Sequence, residues 1–265
     1  MSERGDRRPV PFRGGGFAPV PRRLLPWIVF FVLIAAWQAA SSAGLLPPLF
    51  MPSPAAVIDA LQVLWTNGTL AQNLGASLGR IIPGWIIGTA AGLAAGLAMG
   101  IFSAARAAGL PIVSALFPIP KIALLPLLIL WFGIGEPSKV ATIALGVFFP
   151  TVISAYSACD SVPRNLIRMG QSFGLPATDI VAKIVLPGAM PGILAGFRIS
   201  ASVALLLLVA AEMIGAQYGI GAFVLTAGNL MQTDQLLAGV VMLSILGLLI
   251  AWGLGMLERR MLKWR

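Results

Sequence analysis

Apolar runs follow one another along this chain, each close to the length of a bilayer crossing. Residues 24–43, 74–101, 109–132, 140–158, 190–215 and 235–257 are dominated by Leu, Ile, Val, Phe, Ala and Gly. About 20 such residues are needed for a helix to cross the hydrocarbon layer. Within that layer the backbone must satisfy its own hydrogen bonds, which a helix does. With 58% hydrophobic and 10% charged residues, the chain lies far from the roughly 25% charge of soluble domains. These features predict an all-α integral membrane protein of about six transmembrane helices.

The residue inventory removes several chemistries. There is no His, and Cys159 is the one cysteine, so an internal disulfide and a Cys/His metal site are excluded. The phosphate-loop pattern GxxxxGK[ST] is absent, so any ATP chemistry has to come from a partner. A stand-alone secondary transporter would need ion-coupling carboxylates or inverted repeats. Only Glu212 sits inside an apolar run, and no repeat stands out. A membrane-embedded enzyme would need a catalytic set, which the missing His and the few acids at membrane depth do not provide. Nothing suggests nucleic-acid binding.

Residues 1–23 carry six Arg against Glu3 and Asp6, with Gly14-Gly15-Gly16 and four prolines; they read as a disordered basic cytoplasmic tail. A signal peptide is weighed against the small residues of 39–44 and rejected, because the 24–43 run is long. Ser53 and Pro54 suit the cap and first position of a helix over 55–66. Its Val57, Ile58, Leu61, Leu64 and Trp65 are expected to share one face lying on the membrane surface.

In the second run, Gly84, Gly88, Gly92, Gly96 and Gly100 recur every four residues. That spacing forms a groove into which another backbone can press; lining a pore is the other reading. Gly192, Gly196, Ser200 and Ala204 repeat the pattern in the fifth run. A short cytoplasmic turn is expected over 102–108. The third run is interrupted by Pro111, Pro118, Pro120 and Pro126; broken backbone at membrane depth is tolerated where protein or water surrounds it. Pro118, Pro120 and Pro126 are therefore candidates for a pathway wall, against a packing kink, and Lys121 is expected to snorkel to the cytoplasmic interface rather than bind substrate. Residues 133–139 and 217–234 read as external connections.

The basic residues orient the chain. With the N-terminus inside, cytoplasmic pieces hold 14 Lys or Arg and external pieces hold two, Arg80 and Lys139. The positive-inside rule then favours both termini in the cytoplasm. Glu212, near the outer end of the fifth run, is a membrane-depth carboxylate and so a functional candidate. Arg80 is its possible partner, as an ion pair or a gate. Arg198 is expected to anchor the inner start of that run.

The longest polar break is RNLIRMGQSFGLPATDIVAKIVLPGAMPGILAGFR, residues 164–198. Gly174 and Pro176 read as a helix stop and restart, and Leu186-Pro187 as the end of the second short helix. Leu166, Met169 and Phe173 fall on one face of the first, at spacings of three and four, with Arg164 and Arg168 beside them. Gly174, followed after nine residues by Ile184-x-Leu186-Pro187, resembles the "EAA" loop of bacterial ABC-importer permeases. The naming triplet would fall at Arg168, Met169 and Gly170, so it is absent here. IRMGQSFG is similar to the variant of the nitrate/sulfonate/taurine branch. LWFGIGEPSKV at 130–140, AEMIG at 211–215 and LERRMLKWR at 257–265 extend the resemblance over residues 24–265.

The resemblance implies a type I ABC-importer transmembrane domain over 24–265, with a cytoplasmic coupling helix-turn-helix within 159–189. It also implies a bacterial inner-membrane location, pairing with a second copy, and two ATPase subunits that bind ATP and magnesium. A periplasmic or lipid-anchored binding protein would deliver substrate. The expected cargo is a small anion such as a sulfonate, taurine, nitrate or bicarbonate, with a thiamine-precursor pyrimidine as the alternative. Gly170 and the 164–187 residues named above would form the ATPase-coupling loop.

Overall fold

The structure is a computed structural model describing residues 24–263; the basic tail expected over 1–23 lies outside the described residues. Its regular elements are helices: α1 (Leu25–Ser42), α2 (Pro54–Thr66), α3 (Thr69–Ile101) and α4 (Ser103–Leu116), then a 3-10 turn (Lys121–Leu124) leading into α5 (Leu125–Phe132). After α6 (Glu136–Asp160) and α7 (Arg164–Ser172), α8 (Ala177–Ile180) runs through a π turn (Val181–Val185) into α9 (Leu186–Gly215). α10 (Ile220–Asn229) and α11 (Thr233–Met261) complete the order. Among the described residues, five helices are long and apolar enough to cross a membrane, and α4 with residues 121–132 forms a sixth, bent candidate.

The chain divides at Ala56 into two compact units. In the first, α1 is apolar on all sides, with Trp27, Phe30, Phe31 and Leu33 exposed. A helix of that kind suits a lipid environment. Ser53 Oγ accepts the Ala56 amide at 3.2 Å, the capping bond that an N-terminal serine is placed to make.

In the second unit α6 packs along α3 on one side and α9 on the other. The glycine series on α3 makes the first contact close. A Cβ at Gly92 would stand 2.6 Å from the Phe148 carbonyl oxygen and 2.8 Å from Thr151 Cβ. One turn further, a Cβ at Gly96 would stand 2.6 Å from the Val152 oxygen, and at Gly100 2.5 Å from Cys159 Cβ. Gly84 meets Ile143, and Gly88 meets the Ala144 backbone. On α9, Gly192 faces Ala158 and Gly196 faces Ser154, while Ser200 Oγ accepts Trp85 Nε1–H at 3.0 Å. Removing side chains lets backbones touch, which is how helices associate where lipid offers no hydrophobic drive. Gly92→Leu should therefore prevent the chain from accumulating as a stable detergent-extracted protein. Gly75→Leu, where a Cβ would meet nothing within 4 Å, should extract like the parent. Equal yields of the two variants would contradict the packing account.

Several elements differ from the sequence expectation. α3 begins at Thr69, because Gly68 adopts the left-handed conformation at φ 77° and lets helix start at once. The turn expected over 102–108 narrows to a break at Phe102, with α4 starting at Ser103. The 133–139 turn is complete by Gly135, so Lys139 lies within α6 and donates to the Gly135 carbonyl at 2.9 Å. The 217–234 connection contains α10, whose Ile220 is fully buried. Leu186-Pro187 does not close a helix. Pro187 lies in the first turn of α9, which follows directly on the π turn. α2 turns Val57, Ala60 and Leu64 inward against Ala238 and Phe223, leaving Ile58 and Trp65 exposed; its face is set by protein packing.

The proline-rich third run bends by 86° between α4 and residues 121–132. Pro118 and Pro120 lie at the break, and Pro126 lies in the first turn of α5. Lys121 folds back on the chain: its Nζ donates to the carbonyls of Leu116, Phe117 and Ile119 at 2.7, 3.0 and 2.6 Å, at the end of α4 and the break that follows it.

Candidate functional site

Two places gather the residues singled out in the sequence. The first is a charge network tying α3, α6, α9 and the start of α10 together. Asn73, Ser77 and Arg80 lie on one face of α3. Arg80 Nη1 donates to Glu212 Oε1 at 2.7 Å and to the Tyr218 carbonyl at 2.6 Å. The other edge of the guanidinium forms a bidentate pair with Glu136, Nε to Oε2 at 2.5 Å and Nη2 to Oε1 at 2.7 Å. Ser77 Oγ donates to Glu212 Oε1 at 2.8 Å, and the Gly221 amide donates to Glu212 Oε2 at 2.8 Å.

Two further amides opening α10 are held from α3: Gly219 N–H by Asn73 Oδ1 and Ile220 N–H by Ser77 Oγ, both at 2.9 Å. A helix N-terminus with open amides is a natural seat for a carboxylate. Glu212 fills that seat while neutralising Arg80. The side chains of Arg80 and Glu212 are 3% and 0% exposed, whereas Glu136 is 62% exposed. Burial without partners would be prohibitive for such charges. Gly219, at φ 138° with Glu212 and Arg80 packed against it, admits no side chain. Sequence reading placed Arg80 and Glu212 as a pair but missed Glu136, Asn73 and Ser77. Their signal was present: 73, 77 and 80 follow helical spacing and continue into the glycine face.

The second place is the α7–α8 hairpin. α7 ends in a Schellman arrangement: Leu175 N–H donates to the Gly170 carbonyl at 3.1 Å, and Gly174 N–H to that of Gln171 at 2.9 Å. Gly174 takes φ 71°, the left-handed residue this ending calls for. The inner side of α7 presents Gly170 to Ile180 and Ile184, and Ile167 joins the cluster of Val162, Ile180, Val185 and Ala189. The outer side is uncovered, with Leu166, Met169 and Phe173 exposed, Phe173 at 78%. Arg164 and Arg168 are exposed beside it and have no ion-pair partner among the described residues. Leu186 and Pro187 are half-buried at the root of α9. Arg198, on α9, faces Glu258 on α11 at 2.6 Å.

A small-residue bundle of membrane-length helices, closed at one end by a buried charge network and carrying an uncovered amphipathic hairpin, defines a multi-pass transport subunit. A profile described as "Binding-protein-dependent transport system inner membrane component" matches residues 88–263, and the chain belongs to that family. It is 38% identical over 238 residues to the taurine transport system permease protein TauC of Escherichia coli (strain K12), covering 88% of this chain and 86% of that one. The aliphatic sulfonates transport permease protein SsuC of the same organism, named there as putative, is also 38% identical over 242 residues, covering 91% and 92%. Among solved structures, an inward-facing MetNI methionine ABC transporter superposes with a TM-score of 0.65 at 21% identity, covering 76% of this chain and 98% of that chain; this likeness concerns the fold. The chain is thus an ABC-importer permease subunit with the type I fold, a transport component working with ATPase and binding-protein partners in the inner membrane.

Proposed function

We propose that this subunit forms half of a homodimeric pathway for a small sulfonate-bearing solute such as taurine, driven through the α7–α8 hairpin. The uncovered Leu166, Met169 and Phe173 face with Arg164 and Arg168 carries the mechanical part of this reading. Such a face on a rigid, capped hairpin is shaped to enter a groove on an ATPase subunit, which binds the ATP and magnesium. Because α8 continues through the π turn into α9, a push on the hairpin is delivered to a pathway helix. Coupling of this kind requires an element that both sites bias. The taurine and sulfonate permeases at 38% identity support the cargo.

The test is ATP-dependent uptake of labelled taurine by vesicles holding the permease, its ATPase and its binding protein. Unlabelled alkanesulfonate should compete, and a pyrimidine should not. Competition by the pyrimidine alone would replace the sulfonate assignment.

In this reading residues 1–23 are a basic tail, the transmembrane domain spans 24–265, and both termini face the cytoplasm. With Cys159 changed to Ala, cysteines at Asn67 and Asn229 should label from outside the cell, and at Ala104 and Gln171 from inside. Labelling of position 67 from the inside alone would overturn this orientation.

A further inference from the structure

The break in the third span holds an ammonium group that no carboxylate of the described residues neutralises. Lys121 Nζ stands 4.4 Å from the centre of the Phe149 ring. Phe149 lies at the middle of α6, with thirteen residues before it and eleven after, roughly 17–20 Å from either end at 1.5 Å per residue. The group is therefore at membrane depth. Its three N–H bonds go to the Leu116, Phe117 and Ile119 carbonyls, which are dipoles and leave its charge uncompensated. The ion pairs of the described residues engage Glu136, Glu212, Asp160, Asp179 and Glu258 with other cations. An ionisable group at such depth is costly and by default marks a path for a ligand.

What adjoins it strengthens the case. Phe117, whose carbonyl Lys121 holds, also lines a cavity of about 360 Å³ with Met99, Ser114, Val152, Tyr156 and Ser157. Three of those residues offer hydroxyls in an otherwise apolar wall. Beyond Tyr156 stands Arg106, its guanidinium 5.0 Å from the centre of the Tyr156 ring and paired with Asp160 at 3.0 Å. Lys121 thus holds the carbonyl of one cavity-lining residue, Phe117, and Arg106, paired with Asp160, stacks on the ring of another, Tyr156.

Resting on the anion-transport reading above, we infer that Lys121 is the mid-membrane binding point for the anionic head group of the cargo. One ammonium N–H swings from a backbone carbonyl to a head-group oxygen, and the cavity toward Arg106 takes the rest of the solute. The carbonyls hold the amine ready while the pathway is empty, so its donors keep acceptors when the solute leaves.

Lys121→Gln keeps N–H donors for the carbonyls and removes the charge. In vesicles holding the full complex, taurine and ethanesulfonate uptake should fall at least tenfold in Lys121→Gln and stay within about threefold of wild type in Lys121→Arg. A capping role alone predicts similar rates in the two variants, since both carry N–H donors for the carbonyls. A second arm acts after assembly. Lys121→Cys on a Cys159→Ala background, treated with 2-aminoethyl methanethiosulfonate, regains a side chain ending in an ammonium, and uptake should rise at least fivefold. Methyl methanethiosulfonate, which adds no charge, should give no rise. Wild-type rates in Lys121→Gln, or equal responses to the two reagents, would overturn the assignment of Lys121. Absence of uptake of either sulfonate by the wild-type complex would instead remove the anion reading on which the assignment rests.

Discussion

Arg80→Ala should destabilise the permease by about 3–5 kcal/mol, the usual cost of removing one member of a buried ion pair. Glu212 is left with 0% side-chain exposure and no cation, and its Ser77 and Gly221 donors do not replace a full charge. The detergent-solubilised protein should then melt on the order of 10 °C lower. The three partners are not equivalent. Glu136 is 62% exposed, so Glu136→Gln should cost less than about 1 kcal/mol, as for a solvated pair. Glu212→Gln should fall between the two, since Arg80 keeps its bidentate partner and Gly221 keeps an acceptor. The combination Arg80→Ala with Glu212→Gln should be more stable than the two separate losses predict, because the orphaned carboxylate is gone. Strict additivity in the melting curves would show that the network is not an energetic unit.

The same network bears on where sequence reasoning succeeds in a chain like this. Helix packing was legible because it is written in a period: five glycines four residues apart on α3 offer a groove, and α6 lies in it. The Arg80–Glu212 pair was legible because membrane-depth charges are few. Glu136 was hidden by a boundary. Read as part of an external turn, it gave no reason to look inward, yet Gly135 ends the turn and Glu136 already lies on the first turn of α6. The prolines at 118 and 120 announced a break. They did not reveal that Lys121 would fold back onto carbonyls of the preceding segment, since that depends on an 86° bend that no local preference encodes. Leu186-Pro187 misled for a related reason: proline ends one helix or begins another with equal ease, and only tertiary packing of Val185 and Ala189 with Val162 and Ile193 decides that α8 and α9 run on. The outer face of α7 was readable from spacing alone, and it is uncovered in the structure.

Gly174→Val should uncouple the machine. Gly174 has φ 71° and nothing within 4 Å of where a Cβ would stand, so the substitution meets no steric neighbour and its cost is conformational. A left-handed β-branched residue is disfavoured by about 1–2 kcal/mol or more, enough to undo the Schellman ending and let Leu175 and Phe173 change direction. The membrane bundle, whose packing lies elsewhere, should fold and extract normally. What is lost is the fixed angle between α7 and α8, and, on the proposed coupling role, the transfer of ATPase movement to α9. Phe173→Asp, which places a charge on the exposed face proposed to dock and leaves Gly174 in place, should have the same effect by a different route. Arg168→Glu should produce it more mildly.

Measuring ATP hydrolysis and taurine uptake together, in vesicles containing the permease, its ATPase and loaded binding protein, tests the coupling role most directly. For Gly174→Val the account predicts that the protein is present at wild-type levels, that uptake falls at least tenfold, and that hydrolysis no longer responds to loaded binding protein. Uptake and stimulated hydrolysis both at wild-type rates in Gly174→Val and in Phe173→Asp would contradict it, and the α7–α8 hairpin would then not be the element through which ATP drives this permease.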